Sequence, residues 1–133
     1  MTAETVILTL KIAVIAVTLL FAASLVALAR GKYRLHGQIN VAFFVLILSA
    51  LLGLEVIARI IDPEMFSEYF ARHPDSWEAL KVHLCFSLPA ALVLPFMLYM
   101  GKTHKRRAHL ILAALFVVLW TGTLFTGVFF LPH

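Results

Sequence analysis

The sequence predicts an all-α integral membrane protein, a four-helix bundle with short loops. Of its 133 residues, 62% are hydrophobic and only 14% are charged, and the mean hydropathy is +0.98. An ordinary soluble domain has about 45–50% apolar and about 25% charged residues, and one of this length could not bury so much apolar surface. Four apolar segments each reach the roughly 20 residues that a helix needs to cross the bilayer. Because a spanning segment in lipid must satisfy its own backbone hydrogen bonds, these segments are predicted to be helices.

The four predicted spans lie in a single domain that covers residues 1–133. The first runs from about residue 5 to 29, and its length, without an N-terminal basic cluster, favours a retained helix over a cleaved signal peptide. The others run from about 39 to 61, 79 to 100 and 109 to 131. No internal repeat is apparent.

The loop between the second and third spans has a structure of its own. Asp62-Pro63 can begin a short helix, which we expect to end near His73-Pro74. Four apolar residues share one face of this helix, as is typical of a helix at the membrane surface: Met65, Phe66, Tyr69 and Phe70. Asp75 or Ser76 can then cap the third span.

The charges of the loops predict the orientation. Loops one and three carry 7 of the 11 basic residues: Arg30, Lys32, Arg34, Lys102, Lys105, Arg106 and Arg107. The positive-inside rule therefore places these loops in the cytoplasm and both termini on the opposite side. The net charge is +4, but the basic residues lie beside apolar segments, where they more often mark membrane orientation. No nucleic-acid partner is therefore expected. We expect the lipid bilayer to surround the spans.

Polar residues inside the spans form a predicted outer cluster, contributed by all four helices: Lys11, Glu55, Arg59, His83 and Thr126. Intramembrane charges are costly and often functional. Three interpretations stay open. Glu55 forms a structural ion pair with Lys11 or Arg59, or Glu55 and His83 form a proton relay or ligand site, or the long side chains snorkel without contact.

Two histidines mark the cytoplasmic ends of the spans. His36 begins the second span and His109 the fourth, at a similar depth. Two histidines on separate helices suit bis-histidine ligation of haem b, and they also suit copper or zinc. His83 is a third candidate metal ligand, and Asn40 could orient His36. The alternative is that both histidines are interfacial residues bonded to headgroups or loop carbonyls.

Other residues could complete a cofactor site. Arg34, Arg106 and Arg107 could meet haem propionates, and Trp120 could line the pocket. In the fourth span, the pairs Gly122/Thr126 and Thr123/Gly127 would allow close helix contact, either within the chain or with a partner subunit.

The same histidines carry a family resemblance. His109 is followed after ten residues by Trp120 and after five more by Thr126-Gly127-Val128, while His36 opens the second span and His83 lies in the third. Over roughly residues 30–130 the chain resembles a family of small four-helix bacterial membrane proteins of unknown function, often encoded near haem–copper oxidase assembly genes. The resemblance implies a multi-pass protein of the bacterial inner membrane.

These features predict an accessory or assembly protein of a respiratory or other electron-transfer complex, binding haem b or copper. The alternative is a non-catalytic structural subunit of a larger membrane complex, without a cofactor of its own. A small transporter or proton conductor is a third hypothesis. Other membrane subunits or a homo-oligomer are the expected partners. An enzyme is least favoured, because the sequence has no nucleophile–base motif, phosphate loop or metal-hydrolase spacing.

Overall fold

The computed structural model describes residues 2–130, which contain helices and turns and no strand. The predicted all-α fold class is therefore confirmed. Leu131, the predicted end of the fourth span, and His133 lie outside the described residues.

Five α-helices follow one another, and π-helical turns extend two of them. Their bounds are α1 Ala3–Ala29, α2 Tyr33–Val56 with the π turn Ile57–Ile61, α3 Met65–Arg72, α4 Pro74–Lys102, and α5 Arg106–Phe125 with the π turn Thr126–Phe130. All of these except α3 are long and apolar enough to cross a membrane. The helices begin two to six residues before the predicted span starts at about 5, 39, 79 and 109. Hydropathy marks only the apolar part of a helix, whereas the backbone is helical through the polar first turn as well.

The chain divides into two compact units, with the first ending at Arg72 and the second beginning at His73. In the first unit, α1 and α2 form an antiparallel hairpin, and the rings of Phe21 and Phe43 lie 5.3 Å apart. The predicted short helix is confirmed as α3. Met65 and Tyr69 of α3 are buried in an apolar cluster with Ala3, Val6 and Ile7 of α1.

In the second unit, α4 and α5 form another hairpin. Pro74 occupies the first turn of α4 and His73 is its N-cap, so the predicted caps Asp75 and Ser76 are wrong. Proline suits this position because its fixed φ is already helical. Its missing N–H costs nothing there, since N–H groups in the first turn of a helix have no partner within the helix.

The small residues of α5 pack within this hairpin. A Cβ placed at Gly122 would overlap the ring of Phe86 on α4, and one at Gly127 would lie 3.0 Å from Cε1 of His83. Both glycines thus let α4 approach α5 closely. Of the two alternatives predicted for these small residues, this is the close contact within the chain.

The two hairpins have the same turn, displaced by 73 residues. Gly31 and His104 both have a positive φ, of 73° and 59°. Four backbone hydrogen bonds of the first turn recur at the displaced positions of the second, including Lys32 N to Ala27 O and Lys105 N to Met100 O. The helices before and after each turn end and begin at displaced positions too.

The pattern of burial repeats with the same displacement. All four buried residues of α4 have buried equivalents in α1: Ser76, Ala90, Leu94 and Met97 correspond to Ala3, Val17, Phe21 and Ser24. Phe43 and Phe116, each 1% exposed, are also equivalent. The expected absence of an internal repeat is therefore wrong. The repeat lies in the backbone and burial, and few residue identities accompany it.

Candidate histidine sites

His109 is held against α4 by its ring. Its Nδ1 lies 2.8 Å from the carbonyl oxygen of Met97. A Cβ at Gly101 would lie 2.8 Å from the same nitrogen, so the missing side chain leaves the space that the imidazole fills. The residue itself is half-buried.

This hydrogen bond determines the tautomer of His109. A carbonyl oxygen only accepts, so Nδ1 must carry the proton, and the neutral ring then has its lone pair on Nε2. No described residue contacts Nε2 by a hydrogen bond. No buried polar side-chain atom in residues 2–130 lacks a partner, so this nitrogen reaches the molecular surface. A neutral, oriented imidazole with an accessible Nε2 is the form in which histidine binds metals.

His36 has the same hydrogen bond in the first hairpin. Its Nδ1 lies 2.9 Å from the carbonyl oxygen of Ser24, again twelve residues earlier. Nε2, however, is occupied by the side-chain amide nitrogen of Asn40 at 3.2 Å. Asn40 thus contacts His36 as predicted, but on the nitrogen that a metal would need.

The polar groups around His36 form a closed set. The Ser24 hydroxyl donates to Oδ1 of Asn40 over 2.5 Å, Asn40 donates to Nε2 of His36, and His36 donates to Ser24. Each of these polar groups therefore has a hydrogen-bond partner, as buried polar groups normally do. Ser24 is 0% and Asn40 5% exposed, so this set is a buried tie between α1 and α2.

His83 lies at the other end of the α4/α5 hairpin. Its Nδ1 is 2.9 Å from Oγ1 of Thr126, and that hydroxyl donates its proton to the carbonyl oxygen of Gly122 over 2.7 Å. Thr126 therefore accepts from His83, which places the lone pair of His83 on Nε2 as well.

The antiparallel hairpin keeps His83 and His109 apart. His109 contacts Met97, which is 14 residues beyond His83 on α4, or about 21 Å along the helix axis at about 1.5 Å per residue. The two histidines of one hairpin therefore cannot bind a single ion. Among residues 2–130, no three His, Cys, Asp or Glu side chains come together in a metal-binding group.

An apolar groove lies near His109. It has a volume of about 350 Å³ and is lined by Leu92, Val93, Phe96, Met100 and Leu112. Leu112 follows His109 by three residues, so the two share a face of α5. The groove thus opens within about one turn of the histidine that has an accessible Nε2.

The remaining predicted cofactor residues have separate surroundings. Arg34 and Arg106 are exposed near the first turns of α2 and α5, where a propionate could reach them. Trp120 is buried and stacks on Phe116, with ring centroids 5.9 Å apart. This ring contact joins two successive turns of α5.

The predicted outer polar cluster resolves into local pairs. Glu55 near the end of α2 forms an ion pair with Arg59 in the π turn that follows, at 2.5 Å, with side chains that are 59% and 78% exposed. This is one of the two ion pairs foreseen for Glu55. His83 pairs with Thr126 in the other hairpin. Lys11 is buried at 8% exposure.

No family model, curated protein or solved structure matches this chain. The family resemblance drawn from the histidine motif stays a prediction.

Three residues of the histidine sites were not foreseen: Ser24, Met97 and Gly101. Met97 takes part only through its carbonyl group and Gly101 only through its missing side chain, so neither has a chemical signature. A signal does exist in the sequence. Lys32, Arg34, His36, Phe43, Val45 and Leu46 recur as Lys105, Arg107, His109, Phe116, Val118 and Leu119. Aligning these two runs also aligns Ser24 with Met97.

Proposed function

We propose that this protein is a membrane-embedded accessory or assembly protein of an electron-transfer complex, and that it binds haem b through Nε2 of His109. The single observation that carries the proposal is the hydrogen bond from Nδ1 of His109 to the Met97 carbonyl. This bond orients the ring, fixes the tautomer and leaves the ligating nitrogen accessible, as an outer-shell partner does for histidine ligands in metal sites.

The donor set suits haem better than copper. A protein site for zinc or a bare copper ion usually draws three or four donors from side chains, and no group of three such side chains occurs among residues 2–130. Haem iron already has four porphyrin nitrogens and takes only axial ligands from the protein. An isolated accessible imidazole is therefore enough.

The surroundings of His109 match the other needs of a porphyrin. The wall of the neighbouring groove is apolar and could accept a macrocycle edge, and the exposed Arg106 and Arg107 near the start of α5 could pair with propionates. When bound, haem would supply one-electron redox chemistry. The residues of the chain would hold it, orient its axial ligand and limit access of water.

The proposed location is the bacterial inner membrane, with the two equivalent turns in the cytoplasm. Arg30 and Lys32 lie in one turn and Lys105 in the other, and Lys102 ends α4. Seven of the 11 basic residues flank these turns, which is the bias of cytoplasmic loops.

The proposal is tested by purifying the protein in mild detergent, recording its visible spectrum and measuring bound metals. A Soret band with iron in the sample supports it. Bound copper without a Soret band would replace haem by a copper site, and a colourless, metal-free protein that also fails to take up added haemin would overturn the cofactor assignment.

A further inference from the structure

The repeated hairpin makes His36 and His109 equivalent residues. Both lie at the same position after the turn, and both donate from Nδ1 to a carbonyl twelve residues earlier. What separates their chemistry must come from the side chains that differ around the two rings.

The decisive difference lies one turn further along each helix. Four residues after His36 is Asn40, whose amide donates to Nε2 at 3.2 Å. Four residues after His109 is Ala113, whose methyl group has no donor. The lone pair is therefore occupied in the first hairpin and accessible in the second.

Asn40 is also fixed in this orientation. Its Oδ1 accepts from the Ser24 hydroxyl at 2.5 Å. Nδ1 of His36 donates to the Ser24 carbonyl, so Nε2 has the lone pair, and rotating the amide would place an oxygen against that lone pair. In the second hairpin the residue equivalent to Ser24 is Met97, which has no hydroxyl to hold such an amide.

We propose that Asn40 closes Nε2 of His36 to external ligands, so that only His109 of the equivalent pair coordinates. Asn40 is thus a specificity-determining residue, and the position four residues after each histidine selects between a structural and a ligating imidazole. The inference depends on the proposed function only for the identity of the ligand, because the accessibility of each ring can be measured without haem.

The test is the rate at which diethyl pyrocarbonate, which acylates an unprotonated imidazole nitrogen, modifies each histidine of the full chain in detergent. Peptide mass spectrometry separates the sites, and the exposed His104 is the internal standard. His109 should react about fivefold to tenfold faster than His36, the factor by which one ordinary hydrogen bond biases an equilibrium.

Two exchange variants make the test specific. Asn40→Ala should raise the rate at His36 towards that at His109. The double variant Met97→Ser/Ala113→Asn, which supplies both the amide and the hydroxyl that holds it, should lower the rate at His109, and the rate at His104 should be unchanged in both. Because Asn40→Ala also disturbs a buried network, the double variant provides a second, independent result. Equal rates at His36 and His109 in the wild type, or no change in either variant, would overturn the inference.

The same samples separate this inference from the proposed function. If the modification rates follow the prediction but haemin does not bind, the cofactor is wrong and the closure by Asn40 stands. If haemin binds through His109 and Asn40→Ala leaves His36 unreactive, the closure is wrong and the haem assignment stands.

Discussion

His109 donates a hydrogen bond from Nδ1 to the carbonyl oxygen of Met97, twelve residues earlier, over 2.8 Å. The bond joins α5 to α4 beside their connecting turn and leaves Nε2 as the free nitrogen of the ring. The same geometry joins His36 to Ser24 in the other hairpin. One interaction thus closes the turn, orients the imidazole ring and leaves its second nitrogen accessible.

Gly101→Ala should loosen the α4/α5 hairpin. The new Cβ would lie 2.8 Å from Nδ1 of His109, so the ring must move and its bond to Met97 must lengthen. Overpacking of this kind costs about 1–3 kcal/mol, seen as a lower thermal midpoint in detergent. Gly53→Ala on α2 is the control, since nothing lies within 4 Å of its Cβ position and alanine favours a helix. Equal destabilisation by both variants would show that the space beside His109 is not required.

Gly122→Ala should be more damaging, because its Cβ would overlap the ring of Phe86. We expect a lower thermal midpoint that Phe86→Leu partly restores in the double variant, since the smaller side chain vacates the contact. The measurement is a double-mutant cycle of thermal midpoints. Additive effects would mean that Gly122 and Phe86 do not share this contact.

Thr126→Val should weaken the end of the same hairpin that lies away from its turn. The variant keeps the shape of the side chain but removes the oxygen that accepts from Nδ1 of His83 at 2.9 Å. The expected loss of stability is about 1 kcal/mol, whereas Thr126→Ser should stay near wild type. Nitrogen chemical shifts of the His83 ring provide a second measurement. They should change in Thr126→Val and not in Thr126→Ser.

Ser24→Ala should destabilise the first hairpin more than an ordinary hydroxyl deletion does. It leaves Oδ1 of the buried Asn40 without its donor, and an unsatisfied buried group costs about 1–3 kcal/mol. Thr121→Ala is the control, because Thr121 is exposed and its hydroxyl bonds only to Val117 of its own helix. Matching midpoints for the two variants would contradict a structural role for the network.

The sequence predicts the helices well and their polar contacts only in part. Hydropathy alone locates four spans, and the i+4 spacing of Glu55 and Arg59 suffices to foresee their ion pair. The sequence does not reveal that Asn40 contacts Nε2 of His36, because the nitrogen that Asn40 contacts depends on which one Ser24 already occupies. Nor does it reveal Met97 and Gly101, which act through backbone and empty space. The repeat is missed because few identities accompany the shared turn and burial.

A haemin titration of the wild type, His109→Ala and His104→Asn in detergent, followed at the Soret band, tests directly whether His109 binds haem. His104→Asn is the matched control, since His104 lies in the adjoining turn with a positive φ that asparagine tolerates. We expect saturable binding to the wild type and to His104→Asn, and its loss in His109→Ala. A Soret band of equal height and affinity in His109→Ala would contradict the assignment of His109 as the haem ligand.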